Sequence, residues 1–106
     1  NGGGGLNIYA GAFLNGGVAA AAAPAIMGTV VNGATSKLFK SAITAIATGA
    51  AGANTLSRAN VADDAGGHTL NGKIAEVCIF SRELTLAERT QLLTYFGTRY
   101  AIAVGP

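Results

Sequence analysis

The stretch from Leu70 to Ile102 constrains this chain most, because it joins a run of strand formers to a helix whose start is written in its own residues. Lys73 to Ser81 is rich in Ile, Val and Phe and follows Asn71-Gly72, a tight-turn pair, so it is predicted to be a strand. Ala75, Val77 and Ile79 fall on one face; Ile74, Glu76, Cys78 and Phe80 fall on the other. Both faces are largely apolar, which predicts a central, buried strand. Thr85-Leu86-Ala87-Glu88 is a capping box, in which the Thr85 hydroxyl and the Glu88 carboxylate satisfy the free amides of a first turn, and it predicts a helix over residues 85–97. At 3.6 residues per turn, Leu86, Leu92, Leu93, Phe96 and Tyr100 form an apolar stripe for packing. Arg89 projects towards that stripe, so its stem is expected to be covered and its head paired, with Glu76 or Glu83 as the nearest acids by sequence.

Upstream, residues 1–5 are a glycine-rich lead with little side chain to pack. Leu6 to Leu14 alternates, with Leu6, Ile8, Ala10, Ala12 and Leu14 on one face, and reads as a strand ending at the turn Asn15-Gly16-Gly17. Val18 to Ala25 is alanine-rich and interrupted by Pro24, and is expected as a loop or edge. Ile26 to Val31 and Ser36 to Ser41 read as strands around the turn pair Asn32-Gly33, Ala42 to Ala47 as an extension of that antiparallel system, and Thr55 to Ala62 as a weaker strand. Asp63 to His68 is a polar loop. Strands and turns over residues 6–81 followed by one short C-terminal helix predict an all-β antiparallel sandwich in a single domain, 1–106.

Large residues are scarce: Leu6, Ile8, Phe13, Ile26, Val30, Leu38, Phe39, Ile74, Val77, Ile79, Phe80, Leu93 and Phe96 are the candidate core. Half of the residues are hydrophobic, which supports a packed core over disorder. Seven Lys or Arg stand against five Asp or Glu, and only 11% of residues are charged. A surface so poor in charge suits a protein held among neighbours, and equally suits a small polar, Ala-rich monomer. The basic residues are scattered without aromatic companions, so no nucleic-acid partner is expected. The longest apolar window, Val18 to Val31, is too short and too interrupted to cross a bilayer, and the helix lacks a Lys-rich face, so no membrane partner is expected. Cys78 has no second cysteine to pair with and is expected as a small core residue.

The run Asn71-Gly72-Lys73-Ile74-Ala75-Glu76-Val77, then Phe80-Ser81-Arg82, Leu84, Glu88, Tyr95 and Arg99-Tyr100, resembles the closing strand and C-terminal helix of laminin-G-like, concanavalin A-like jelly-roll domains, which recur in bacteriophage virion proteins and bacterial secreted proteins. Val30-Val31-Asn32-Gly33-Ala34 and Ser36-Lys37-Leu38 resemble the preceding hairpin, although Phe39-Lys40-Ser41-Ala42 departs from that family's usual turn. The likeness covers about the last third of the chain. Family domains are longer, so the resemblance implies a processed product or the C-terminal portion of a larger jelly roll, the alternative being a compact sandwich of short strands.

Glucanases of this fold carry Glu-x-Asp-x-x-Glu on one strand, whose retaining carboxyl pair lies about 5–5.5 Å apart. Here Cys78 and Ser81 follow Glu76 where Asp and Glu would stand, so Glu76 reads as a structural carboxylate and no enzyme is expected. A lone His68 and a lone Cys78 build no nucleophilic site. No cofactor is expected, the one candidate being Ca2+ on Asn60, Asp63 and Asp64 with His68 nearby; two adjacent aspartates more often form a solvated turn. Glycan binding draws on Tyr9, Asn15, Asn32, Asp63, Asp64 and His68, with Tyr9, Asn32 and His68 the leading three. Glu76, Thr85, Glu88, Arg89, Phe96 and Tyr100 carry structural roles. The expected function is a non-catalytic structural and interaction module of a bacteriophage virion, as head decoration, tail or fibre component, with other copies of itself or other virion proteins as partners. The alternative is a glycan-binding, lectin-like adhesion module, virion-borne or secreted.

Overall fold

The computed structural model describes residues 5–19, 23–55 and 72–106. Among the described residues five strands and one α-helix follow in order: β1 (Gly5–Tyr9), β2 (Phe13–Ala19), β3 (Met27–Val30), β4 (Ser36–Lys40), β5 (Ala47–Gly49) and α1 (Leu86–Tyr100), with a 3-10 turn at Gly33–Thr35. All strand pairing is antiparallel and falls into two small sheets, β1-β2 and β3-β4-β5.

The first strand expected, Leu6 to Leu14, is instead a hairpin. The chain reverses at Ala10-Gly11-Ala12, so that Tyr9 faces Phe13 and Ile8 faces Leu14, and Asn15 to Gly17 lie inside β2 rather than in a turn. The reversal is anchored from outside. The Ala51 carbonyl accepts from the amides of Ala10 (2.6 Å) and Ala12 (3.0 Å), and Asn54 N–H donates to the Ala10 carbonyl at 2.9 Å. Gly52 makes this approach feasible: its φ is +96°, and a Cβ there would lie 2.0 Å from the Ala10 oxygen.

Inward residues of the hairpin meet the second sheet, where Ile8, Leu38 and Ala51 form the buried centre with Leu14, Ile46 and Ala47 against it. At the β3-β4 corner Ser36 is fully buried, and its hydroxyl donates to the Gly33 carbonyl (2.8 Å) and accepts from Asn32 N–H (2.9 Å). Of the segment Ala42 to Ala47, only Ala47 enters a strand; Ala42 forms a parallel bridge with Gly105.

Helix α1 begins as its sequence dictates. Thr85 accepts from Glu88 N–H at 3.3 Å, and Glu88 accepts from Thr85 N–H at 2.8 Å. The helix runs three residues beyond the expected Gly97 and ends at Ala101, in the left-handed region at φ 53°, with the amides of Ala101 and Ile102 turned back to the Gly97 carbonyl. Only Leu93 of the apolar stripe is buried, and Leu86 is exposed.

Two further expectations are corrected here. Lys73 to Ser81 is not a central strand: it has no ladder partner among the described residues, and each residue from Lys73 to Phe80 is exposed. Cys78 is accordingly exposed rather than in the core. The expected strand Thr55 to Ala62, the loop Asp63 to His68 and the first four glycine-lead residues lie almost wholly outside the described residues. No described helix is long and apolar enough to cross a membrane.

Candidate interaction surface

Segment Lys73–Phe80 lies along α1 and runs opposite to it. Glu76 meets the last turn of the helix: Tyr100 OH donates to its carboxylate at 2.7 Å and Tyr95 OH at 3.2 Å, with Arg99 Nε at 3.6 Å. Phe80, four residues on, lines a groove with Glu88, Gln91 and Leu92 near the start of the helix. Those two stations are roughly 12 Å apart along a helix rising 1.5 Å per residue. Four residues of strand cover about 13 Å. The segment is therefore extended, as its Ile, Val and Phe content favours.

Extended backbone alternates its side chains, and Glu76 and Phe80 share the face towards α1. By the same alternation Ala75, Val77 and Ile79 fall on the other face. Both faces are open to solvent, with Ile74 44%, Phe80 49%, Val77 51% and Ile79 60% exposed. The backbone of the segment makes no backbone hydrogen bond to any described residue. An apolar stripe of strand formers thus stands on the surface, pinned from behind by Glu76.

Two ion pairs flank the link that leads into α1. Arg82 donates to both Glu88 carboxylate oxygens, at 2.7 and 2.8 Å, and Lys37 on β4 pairs with Glu83. The Arg82 hydrogen bonds, with the Thr85 amide next, draw the Glu88 carboxyl from 4.5 down to about 2. Between them Phe80, Arg82, Leu84, Glu88, Gln91 and Leu92 outline an open groove of about 380 Å³, its one acid and one base neutralising each other.

Arg89 departs from its expected partners. Glu83 is held by Lys37 and Glu76 by Tyr95, Tyr100 and Arg99, so no described carboxylate pairs with Arg89. Its guanidinium lies over the Phe39 ring, 4.6 Å from the centroid, and its Nε is buried without a hydrogen bond. Phe39 and Arg89 thereby join α1 to β4. Phe96 stacks on Tyr100, with centroids 6.3 Å apart, behind the Glu76 contact.

Of the leading glycan candidates, Tyr9 and Asn32 lie among the described residues. Asn32 uses its side chain within its own turn, donating to Thr35 Oγ1 at 3.0 Å. His68, Asn60, Asp63 and Asp64 lie outside the described residues, and the described ones hold no cluster of three or more His, Cys, Asp or Glu side chains that could take a metal. Tyr9 is 62% exposed and sits across the hairpin from Phe13, itself exposed, with ring centroids 4.8 Å apart. Sequence reasoning missed Phe13 as its companion because it ran one strand through the turn. It also missed Tyr95 and Arg99 as holders of Glu76; their spacing of four, with Tyr100 adjacent, was the available signal.

Compared with known proteins, the chain matches no protein-family model, no curated protein and no solved structure.

Proposed function

We propose that this chain is a non-catalytic structural module that works by protein-protein assembly, in the setting of a bacteriophage particle as a head-decoration, tail or fibre component. The observation that carries the reading is the outward stripe of Ala75, Val77 and Ile79 on an extended segment whose backbone has no partner among the described residues. Strand formers on unpaired backbone are a template for another chain, and soluble proteins ordinarily blunt such edges with charge. This stripe has none. The virion setting rests on the sequence resemblance to jelly-roll domains and on the scarcity of charge, and a complete jelly roll would supply further strands beside Lys73–Phe80.

Light scattering over a concentration series tests it. Species larger than the monomer are expected, and Val77→Lys with Ile79→Lys should abolish them while the helix signal in circular dichroism stays unchanged. A monomer at every concentration would overturn the reading.

The exposed Tyr9 and Phe13 pair favours a second reading, glycan binding, since adjacent aromatic rings can stack on a sugar face. Retention on a polysaccharide column that is lost in Tyr9→Ala would support it; no retention of the native chain would remove it.

A further inference from the structure

The outward face of the β1-β2 hairpin carries more than a pair of rings. Exposure along β2 alternates, so Phe13, Asn15 and Gly17 stand on the solvent side. Tyr9 lies across from Phe13 in the antiparallel register, and the two rings meet at 47° with centroids 4.8 Å apart. Asn15 Oδ1 accepts from Gly17 N–H at 2.8 Å, which fixes the side-chain amide and leaves its NH2 group without a partner among the described residues. Gly17 has φ +66°, and nothing lies within 4 Å of where a Cβ would stand, so the face is open beside Asn15.

We infer that this face binds an uncharged glycan. One sugar sits against the Tyr9 and Phe13 rings, and a hydroxyl oxygen at its rim accepts from Asn15 Nδ2. Phe13 and Asn15 are two residues apart, about 7 Å along the strand, so a sugar on the ring reaches the amide. The inference rests on the second, glycan-binding reading and names the ligand class for that site.

Charge decides the class of sugar. Residues 1–36 contain no Lys, Arg, Asp, Glu or His. Acidic sugars are held through charge-assisted hydrogen bonds to Arg or Lys, and the hairpin has neither. Size decides against a protein partner. A fully buried aromatic side chain contributes about 150–250 Å². With Tyr9 62% and Phe13 64% exposed, the pair offers roughly 200–300 Å². Each partner in a stable protein interface contributes roughly 800 Å². The ring pair is on the scale of a sugar face instead.

Frontal chromatography on immobilised polysaccharide tests the site, with dextran, galactomannan and β-glucan as neutral probes and alginate as the acidic one. The native chain is expected to be retained by at least one neutral support. Phe13→Leu keeps an apolar strand residue and removes the ring, and should weaken that retention about two- to tenfold. Asn15→Ala should weaken it by a similar factor through the lost hydrogen bond. Circular dichroism checks that both variants stay folded. Retention on alginate alone, weakened in Phe13→Leu, would overturn the uncharged class and leave glycan binding standing. Retention that neither variant changes, on whichever support, would overturn this site. Concentration-dependent dimers that Phe13→Leu breaks up, without retention, would put a second copy on this face instead. No retention on any support would overturn both the inference and the glycan reading.

Discussion

Arg89 shows how a single side chain decides the relation between helix and sheet. Its ring contact with the buried Phe39 contributes about 0.5–2 kcal/mol, whereas a buried N–H without a partner costs about 1–3 kcal/mol. Arg89→Met removes both the guanidinium over Phe39 and its unbonded nitrogen and leaves an apolar side chain at that position. Its stability is therefore expected to range from unchanged to about 2 kcal/mol higher, read from urea midpoints. Glu88 makes an opposite case, a charge that is fully used. Its folded pKa, about 2, lies below its ordinary 4.5, so its contribution is present above pH 4.5 and is lost as pH falls towards 2. Helix content followed by circular dichroism should decline through that window, and the decline should be shallower in Glu88→Gln, which is also less stable at neutral pH.

At the scale of elements, the helix and the hairpin differ in how far their instructions are local. The capping box lies within four residues and makes its bonds to its own backbone, which is why the start of α1 was legible. The hairpin was not. A three-residue reversal preserves the parity of the alternation, so Ile8 and Leu14 point inward and Tyr9 and Phe13 outward whether or not the chain turns between them. The Ala51 carbonyl and the Asn54 amide, about forty residues away in sequence, fix the turn, and no local pattern announces them. Gly52→Ala tests that anchor: its Cβ would meet the Ala10 oxygen, and a loss of about 1–3 kcal/mol or more in thermal unfolding is expected. At the other end of the chain, Ala101 holds a left-handed conformation that glycine adopts without penalty. Ala101→Gly should raise stability by about 1 kcal/mol in the same assay.

For the whole molecule, the composition said that large side chains are few, and the structure shows where that scarcity is felt. Ile8, Leu38, Phe39 and Leu93 are buried, whereas Phe13, Ile74, Val77, Ile79 and Phe80 from the same candidate core stand exposed. Periodicity reported correctly that both faces of Lys73–Phe80 are apolar. It could not report burial, because burial depends on what lies beside the segment and not on the segment itself. The same reasoning separates Glu76 from Arg89: a carboxylate in a strand pattern invites an arginine, but which arginine is set by the antiparallel run of the segment along α1. Because the exposed stripe is neutral, association should not weaken between about 0.05 and 1 M salt, a range over which contacts between exposed charges are screened away. Sedimentation at the two ionic strengths would show it.

The bridge at the C-terminal tail has a mechanical meaning. Gly105 donates to the Ser41 carbonyl at 2.8 Å and accepts from Ile43 N–H at 3.1 Å. A pull applied at Pro106 therefore enters the protein at the end of β4, through two hydrogen bonds, before it can reach α1. While those bonds hold, the helix lies outside the path of the force, and the surface it supports keeps its shape under tension.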